Sequence, residues 1–324
     1  MTVDPQDTGT RLRTLFARMA LAAAALTFVV IVASAFMRHT QAGLACADWP
    51  ACYGRMEVSG AETLPPAEVR VARIAHRLAA TSVLALVIGL LLVAWTQKPA
   101  WQREGSLALA ALIVAAALAV LGLATPGSKI PAVTLGNLLG GYVMLALLAA
   151  TAALGRPHDN ATPMTTSSAN SRALVGALLA LVFLQAASGG LIGAQYALTT
   201  CPSVAACPAF AFGDLFAGGA LDPFRALSVV AGRVAPPDAG AGLHVIHRAL
   251  GLAVTAATFA LAHRMRRIDR RAALVLAALA AAAPLLGVGT IAGMPSLPMT
   301  VLHNATAAAL VAALAYLAAR KGME

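Results

Sequence analysis

Long uninterrupted runs of alanine, leucine and valine dominate this chain and limit its fold more than any other feature. A helix that crosses about 30 Å of hydrocarbon needs about 20 consecutive apolar residues. Only 11% of the residues are charged, whereas a soluble domain has about 25%. The sequence therefore predicts an all-α integral membrane protein with eight transmembrane helices, at residues 16–37, 74–96, 106–125, 132–154, 173–196, 243–263, 272–293 and 298–319.

Positive charges in the loops set the expected orientation of these helices. If the N-terminus is inside, 14 of the Lys and Arg residues lie on the inner side and nine on the outer side. The short loop RMRRIDRR at 264–271 decides the orientation, because its arginines are costly to translocate. We therefore expect both termini in the cytoplasm and a multi-pass protein of the bacterial cytoplasmic (inner) membrane. The net charge of +10 then reflects the orientation of the helices in the membrane. The sequence has no basic stripe with interleaved aromatic residues, so it does not indicate nucleic-acid binding.

All four cysteines fall in two loops on the expected outer face, and both pairs have a spacing of six. Cys46 and Cys52 flank Asp-Trp-Pro between the first two helices, and Cys201 and Cys207 lie between the fifth and the sixth. Disulfides persist on an oxidising face, and no histidine lies at zinc spacing beside either pair. We expect disulfides within each pair, in preference to metal sites or free thiols.

Matching histidine segments accompany the cysteine pairs, which indicates an internal repeat. IAHRLAAT at 74–81 opens the second helix, and VIHRALGL at 245–252 opens the sixth. A polar stretch at 156–172 joins the two halves and is typical of a flexible cytoplasmic linker. The sequence thus predicts two pseudo-symmetric four-helix bundles, an N-terminal bundle over 1–155 and a C-terminal bundle over 173–324.

Three histidines are expected near one depth at the outer side of the membrane. His76 and His247 begin the second and sixth helices, and His303 lies about two turns into the eighth. An ionisable group inside a membrane helix is a functional candidate by default, although any one of them could be a hydrogen-bonded core residue. Imidazoles from facing helices can take both axial positions of a haem iron. We predict all three as haem-iron ligands, with His247 and His303 forming one pair.

Polar residues beside these histidines are expected to contact the same haem groups. Arg77 and Arg248 directly follow His76 and His247, at the membrane surface where propionates would emerge, and arginine pairs well with carboxylates. For each arginine alone, snorkelling to the interface is the alternative. His244 lies one turn before His247 and is predicted to touch the same haem edge. The other histidines are expected to be solvated: His39, His158 and His263.

Four segments resemble the haem A synthase family. RHTQAGLACADWPACYG at 38–54 is similar to the first outer loop of that family, where an arginine, Gly-Leu, a cysteine and Asp-Trp-Pro recur in this order. In the second half, LQAASGGLIGAQYALTTC at 184–201, HVIHRALG at 244–251 and LPMTVLHNATAA at 297–308 resemble the ends of helices five, six and eight. The resemblance covers nearly the whole chain.

The resemblance implies a reaction. Haem A synthases hydroxylate the C8 methyl of haem O twice, and the hydrated aldehyde loses water to become the formyl group of haem A. The N-terminal bundle would hold the haem being oxidised, and the C-terminal bundle a haem b that relays electrons to the quinone pool or another acceptor. The implied partners are haem O, the membrane farnesyltransferase that makes it, and cytochrome oxidase assembly. The resemblance does not decide whether the chain forms a homo-oligomer.

The N-terminal half departs from the family pattern at two positions. The family usually has a glutamate three residues before the first histidine, where this chain has Arg73. It also has a histidine at the start of helix four, where this chain offers Asn137 or, in another register, Gly136. Neither is a usual haem ligand. An active synthase would then hold its substrate haem through His76 alone, with an open coordination position and Asn137 or Gly136 facing His76.

The missing carboxylate leaves two functions open. In a synthase, Glu68 or Glu62 would supply it from the loop before helix two, although a solvated loop acid is the alternative. An inactive paralogue would instead keep only the C-terminal haem b and act in electron transfer or haem handling. A transporter with inverted repeats is less favoured, because these repeats are parallel. We favour the synthase, because the resemblance extends along the whole chain.

Overall fold

Eight long helices make up most of the described part of the chain. The computed structural model describes residues 5–44, 46, 48–55, 66–97, 99–124, 128, 130–155, 168–201, 203, 207, 213–217, 219–291 and 296–320. The long helices are α1 (Pro5–Gln41), α2 (Ala67–Thr96), α3 (Gln102–Ala124), α4 (Pro131–Leu154), α5 (Ser168–Ala194), α7 (Gly240–Met265), α8 (Arg270–Gly289) and α9 (Leu297–Ala319). Between α5 and α7 lie a 3-10 turn (Ala197–Thr200), the short helix α6 (Asp214–Ala217) and the strands β1 (Val229–Val230) and β2 (Arg233–Val234).

All eight long helices are long and apolar enough to cross a membrane, which confirms the predicted number of spans within the described residues. Their outward faces carry large apolar side chains: Leu123 is 86% exposed, Leu252 70% and Leu285 72%. Such a surface suits hydrocarbon rather than water. The chain is therefore a multi-pass membrane protein.

Helix ends follow local sequence signals. Pro66 precedes α2 and Pro131 opens α4, because proline fits the first helical turn, where the backbone N–H has no partner. Asp269 caps α8 by accepting a hydrogen bond from the Ala272 amide at 3.0 Å. That amide, and then Arg320 at 2.5 Å, lower the pKa of the Asp269 carboxyl.

The expected linker at 156–172 is shorter than predicted. Helix α5 already begins at Ser168, so the last five residues of the expected linker are helical. No proline or glycine lies between Ser168 and Val175, so nothing in this stretch breaks the helix. Residues 156–167 lie outside the described part of the structure.

The helices pack in two groups. Helix α1 contacts α2 and α4, and α3 contacts the same two helices, which closes a ring of four. Helices α5, α7, α8 and α9 close a second ring in the same way. The groups meet where α9 packs on α1 and α4, and where α4 packs on α5. The division into two pseudo-symmetric four-helix bundles and the cytoplasmic location of the termini stay predictions.

Loops from both halves meet at the end of the molecule where α1 ends and α7 begins. The structure joins Cys46 to Cys52 and Cys201 to Cys207, with Cα atoms 6.3 Å and 4.6 Å apart, as the spacing predicted. The Val234 amide donates to the Gly54 carbonyl at 2.9 Å, so the strand β2 of the second half extends the loop of the first. We call these joined segments, residues 48–55 and 229–234, the cap.

Arg233 and Tyr53 stabilise the cap. Arg233 donates from Nη2 to the carbonyl oxygens of Pro50 at 3.1 Å and Tyr53 at 3.3 Å. The Tyr53 ring lies 5.6 Å from that of Tyr196, and burial raises the pKa of its phenol. The cap therefore ties the first loop to the second half over the ends of the helices.

Candidate functional site

The structure brings His247 and His303 together, as predicted. His247 lies near the start of α7 and His303 in the second turn of α9, and their ring centroids are 6.1 Å apart. Both rings are mostly enclosed between α5, α7, α8 and α9. Two imidazoles therefore face one another inside the second group of helices.

A backbone carbonyl fixes the tautomer of His303. Its Nδ1 lies 2.9 Å from the carbonyl oxygen of Ala283 in α8. A carbonyl can only accept, so Nδ1 carries the proton and Nε2 keeps a free lone pair. Pro284 follows Ala283 and has no backbone N–H, so it interrupts the hydrogen bonding of α8 beside this contact. The arrangement leaves Nε2 of His303 ready to ligate a metal.

Two residues of α5 fix the tautomer of His247 in the same way. The Ser188 hydroxyl donates to the Gln185 carbonyl at 2.8 Å, so it must accept from Nδ1 of His247, 3.0 Å away. Nε2 of His247 is then unprotonated and accepts from the Gln185 side-chain amide at 3.3 Å. Sequence analysis missed Gln185 and Ser188. Their signal is a pair of polar residues one turn apart in the otherwise apolar segment LQAASGG.

Two glycines allow neighbouring helices to approach these imidazoles. A Cβ atom on Gly189 would lie 2.7 Å from Cε1 of His247, and one on Gly287 would lie 3.2 Å from Cε1 of His303. Ordinary van der Waals contact begins at 3.4 Å. The backbone of α5 and α8 thus lies directly against the two rings.

His244 and Arg248 contact the loop between α5 and α7. The buried His244 donates from Nε2 to the carbonyl of Ala197 at 2.9 Å and so holds the 3-10 turn. Arg248 donates to the carbonyl of Ser203 at 3.2 Å, inside the second disulfide loop. Their predicted contacts with a haem stay predictions.

The residues predicted in the N-terminal half lie on α2 and α4, and not on the two helices that carry the pair. His76 is half-buried in α2, with no hydrogen-bond partner for its ring among the described residues, and Arg77 beside it is exposed. Glu68 is exposed in the first turn of α2, about 12 Å before His76 along the helix axis. Asn137 lies half-buried in the second turn of α4. Glu62 lies outside the described residues.

A family model described as cytochrome oxidase assembly protein, COX15-CtaA, matches residues 17–315. The chain belongs to the COX15-CtaA family. The protein named Heme A synthase in Shewanella oneidensis is 28% identical over 303 residues, which cover 88% of this chain and 90% of that relative. The family suggested by the sequence motifs is therefore confirmed.

The histidine pair of this COX15-CtaA member fits a haem iron better than a small metal ion. Among the described residues, no group of three or more His, Cys, Asp and Glu side chains could hold a metal. A structural zinc needs four ligands, whereas a haem iron needs only two axial ones. The described residues offer two imidazoles here, with ring centroids 6.1 Å apart. Buried Gln185 Oε1, which has no partner in the described residues, shows that the polar arrangement around His247 is incomplete.

The same COX15-CtaA chain contains a polar cluster that sequence analysis misread. His39 was expected to be solvated, but it is half-buried, and its Nε2 accepts from Nη2 of Arg38 at 3.3 Å. The prediction was wrong because α1 continues to Gln41 and carries His39 into the contact with α9. His263 is exposed, as expected, and His158 lies outside the described residues.

Proposed function

We propose that this chain is a haem A synthase, which oxidises the C8 methyl of haem O to the formyl group of haem A for cytochrome oxidase. Family membership over residues 17–315 and the likeness to a relative named Heme A synthase support the proposal. The structural observation that carries it is the His247–His303 pair, whose Nε2 atoms are both unprotonated.

We propose that the C-terminal pair holds a haem b. When bound there, a bis-histidine haem b supplies one-electron transfer toward the quinone pool or another acceptor. His247 and His303 would hold the haem iron through their Nε2 atoms, and Ser188 and the Ala283 carbonyl hold the protons on their Nδ1 atoms. The Gln185 amide must leave Nε2 of His247 to let it ligate the iron.

We propose that the substrate haem O binds in the N-terminal half through His76. The ring of His76 has no competing hydrogen bond among the described residues, so its nitrogens are available. The reaction joins a methyl group and one water into a formyl group and releases four protons and four electrons. It therefore needs an electron acceptor and a proton acceptor. Glu68 and Glu62 remain our proposed carboxylates, but the exposure of Glu68 indicates that substrate binding would have to bring it closer.

The cellular setting of the proposal follows from the same family. The chain would lie in the bacterial cytoplasmic membrane with both termini inside, and it would receive haem O from the membrane farnesyltransferase. The arginine-rich loop at 264–271 supports that orientation.

Pigment analysis tests the proposal. Cells that make haem O but lack their own synthase would express the chain, and the haems of the purified protein would be separated by liquid chromatography. We expect haem b together with haem O or haem A in the parent, and no haem A in His76→Ala. The control His263→Ala, at an exposed histidine, should match the parent. Haem b alone in the parent would contradict the synthase and favour the inactive paralogue.

A further inference from the structure

An arginine with no anionic partner among the described residues lies where the two halves of the molecule meet. Arg38 is in the last turn of α1, and its Nη2 lies 3.4 Å from Asn304 Oδ1 on α9 and 3.3 Å from His39 Nε2. Its Nε atom is buried and has no hydrogen-bond partner among the described residues. No Asp or Glu of the described chain pairs with it.

This arrangement leaves a positive charge poorly compensated. A guanidinium stays protonated in proteins, and burying it is costly unless it is paired and hydrogen-bonded. Its two contacts are with neutral groups, and both are longer than the usual 2.9–3.0 Å. The nearby phenol of Tyr142 donates its proton to the Asn304 carbonyl at 3.1 Å. Among the described residues, neither contact of Arg38 is a carboxylate, the group that an arginine fork binds best.

The position of Arg38 indicates which carboxylate would fill this place. Asn304, its contact, directly follows His303, and His39 lies within electrostatic range of the His303 ring. A haem on His303 carries two propionate carboxylates on one edge of its ring. Of the two arginines first expected to bind propionates, Arg77 is exposed, and Arg248 donates to the Ser203 carbonyl.

We propose that Arg38 of the first half binds a propionate of the haem held by His247 and His303 in the second half. The C-terminal haem site is then completed across the contact between α1 and α9, and each half needs the other to hold it. This inference rests on the haem site proposed above. It also gives a role to the arginine of the RHTQAGL motif, which the sequence alone did not assign.

Haem and haem dimethyl ester distinguish a carboxylate contact from a structural role. The ester has the same ring and iron but no propionate charge. Each would be titrated into the haem-free full-length chain in detergent, and the low-spin band would be followed. The parent should bind haem at least about tenfold more tightly than the ester, because charge-assisted hydrogen bonds contribute about that much. Arg38→Gln should lose this preference, Arg38→Lys should keep part of it, and the control Arg55→Gln, at an exposed arginine of the cap, should keep it all.

Several outcomes would overturn the proposal. Equal affinity of the parent for haem and ester would do so without any variant, and so would a preference that Arg38→Gln retains. In a His76→Ala background, which leaves only the C-terminal site, the dependence on Arg38 should persist. If it appears only in a His303→Ala background, the propionate belongs to the other haem, and our assignment is wrong. A parent that binds no low-spin haem contradicts the proposed haem site itself, which separates that failure from the failure of the Arg38 contact alone.

Discussion

Replacing Gly189 by alanine should disturb the haem site without replacing any polar residue. The new Cβ would lie 2.7 Å from Cε1 of His247, whereas ordinary contact begins at 3.4 Å, so the ring or α5 must move by about 0.7 Å. Functional geometry generally tolerates about 0.5 Å. Overpacking of this kind typically costs about 1–3 kcal/mol. We therefore expect the affinity for haem to fall about tenfold or more in Gly189→Ala.

A second glycine of the same helix provides the control. A Cβ on Gly176 would meet no heavy atom within 4 Å, so Gly176→Ala changes helix propensity but not the site. That change should stabilise α5 by up to about 1 kcal/mol. Haem titration would compare the two variants by the low-spin absorbance band, and thermal unfolding in detergent would report their stability. If both variants bind haem like the parent, the close packing of α5 against His247 does not position the ligand, and the reasoning is refuted.

Three further changes test the residue that caps the N-terminus of α8, the first disulfide, and the cap that joins the two halves. Asp269→Ala should cost about 1 kcal/mol of unfolding free energy at neutral pH. Because folding lowers the pKa of this carboxyl, the difference in unfolding free energy from the parent should shrink as the pH falls below about 3.9. A difference that stays constant over the pH series would contradict this. The double variant Cys46→Ser, Cys52→Ser should lose about 2 kcal/mol in thermal unfolding, as expected for a short closed loop, and unchanged unfolding would argue against a stabilising disulfide. Arg233→Gln should speed amide hydrogen exchange across the cap, because two hydrogen bonds to carbonyls of the first loop are lost, and mass spectrometry showing unchanged exchange there would disprove that role.

Local patterns predicted much of this structure. Span number followed from the lengths of the apolar runs, because hydrocarbon thickness sets a minimum helix length. Equal spacing predicted the pairing of Cys46 with Cys52 and of Cys201 with Cys207. The positions of His247 and His303 within their helices predicted a similar depth in the membrane, and the structure places the two rings side by side.

Contacts between helices could not be predicted in this way. His39 looked like a solvated residue at a helix end, since nothing local shows that α1 continues and packs on α9. Gln185 and Ser188 could not be assigned to His247, because that requires the rotation of α5 relative to α7. The register of packed helices depends on distant residues, and a single sequence contains no direct record of it.

The coordination of one haem by His247 and His303 is the central claim, and spectroscopy of single variants tests it most directly. The parent, His247→Ala, His303→Ala and the exposed control His263→Ala would be purified, and optical and electron paramagnetic resonance spectra recorded in the oxidised and reduced states. We expect a six-coordinate low-spin haem in the parent and the control, and its loss in each of the two ligand variants. A low-spin signal that is unchanged in both His247→Ala and His303→Ala would contradict the account.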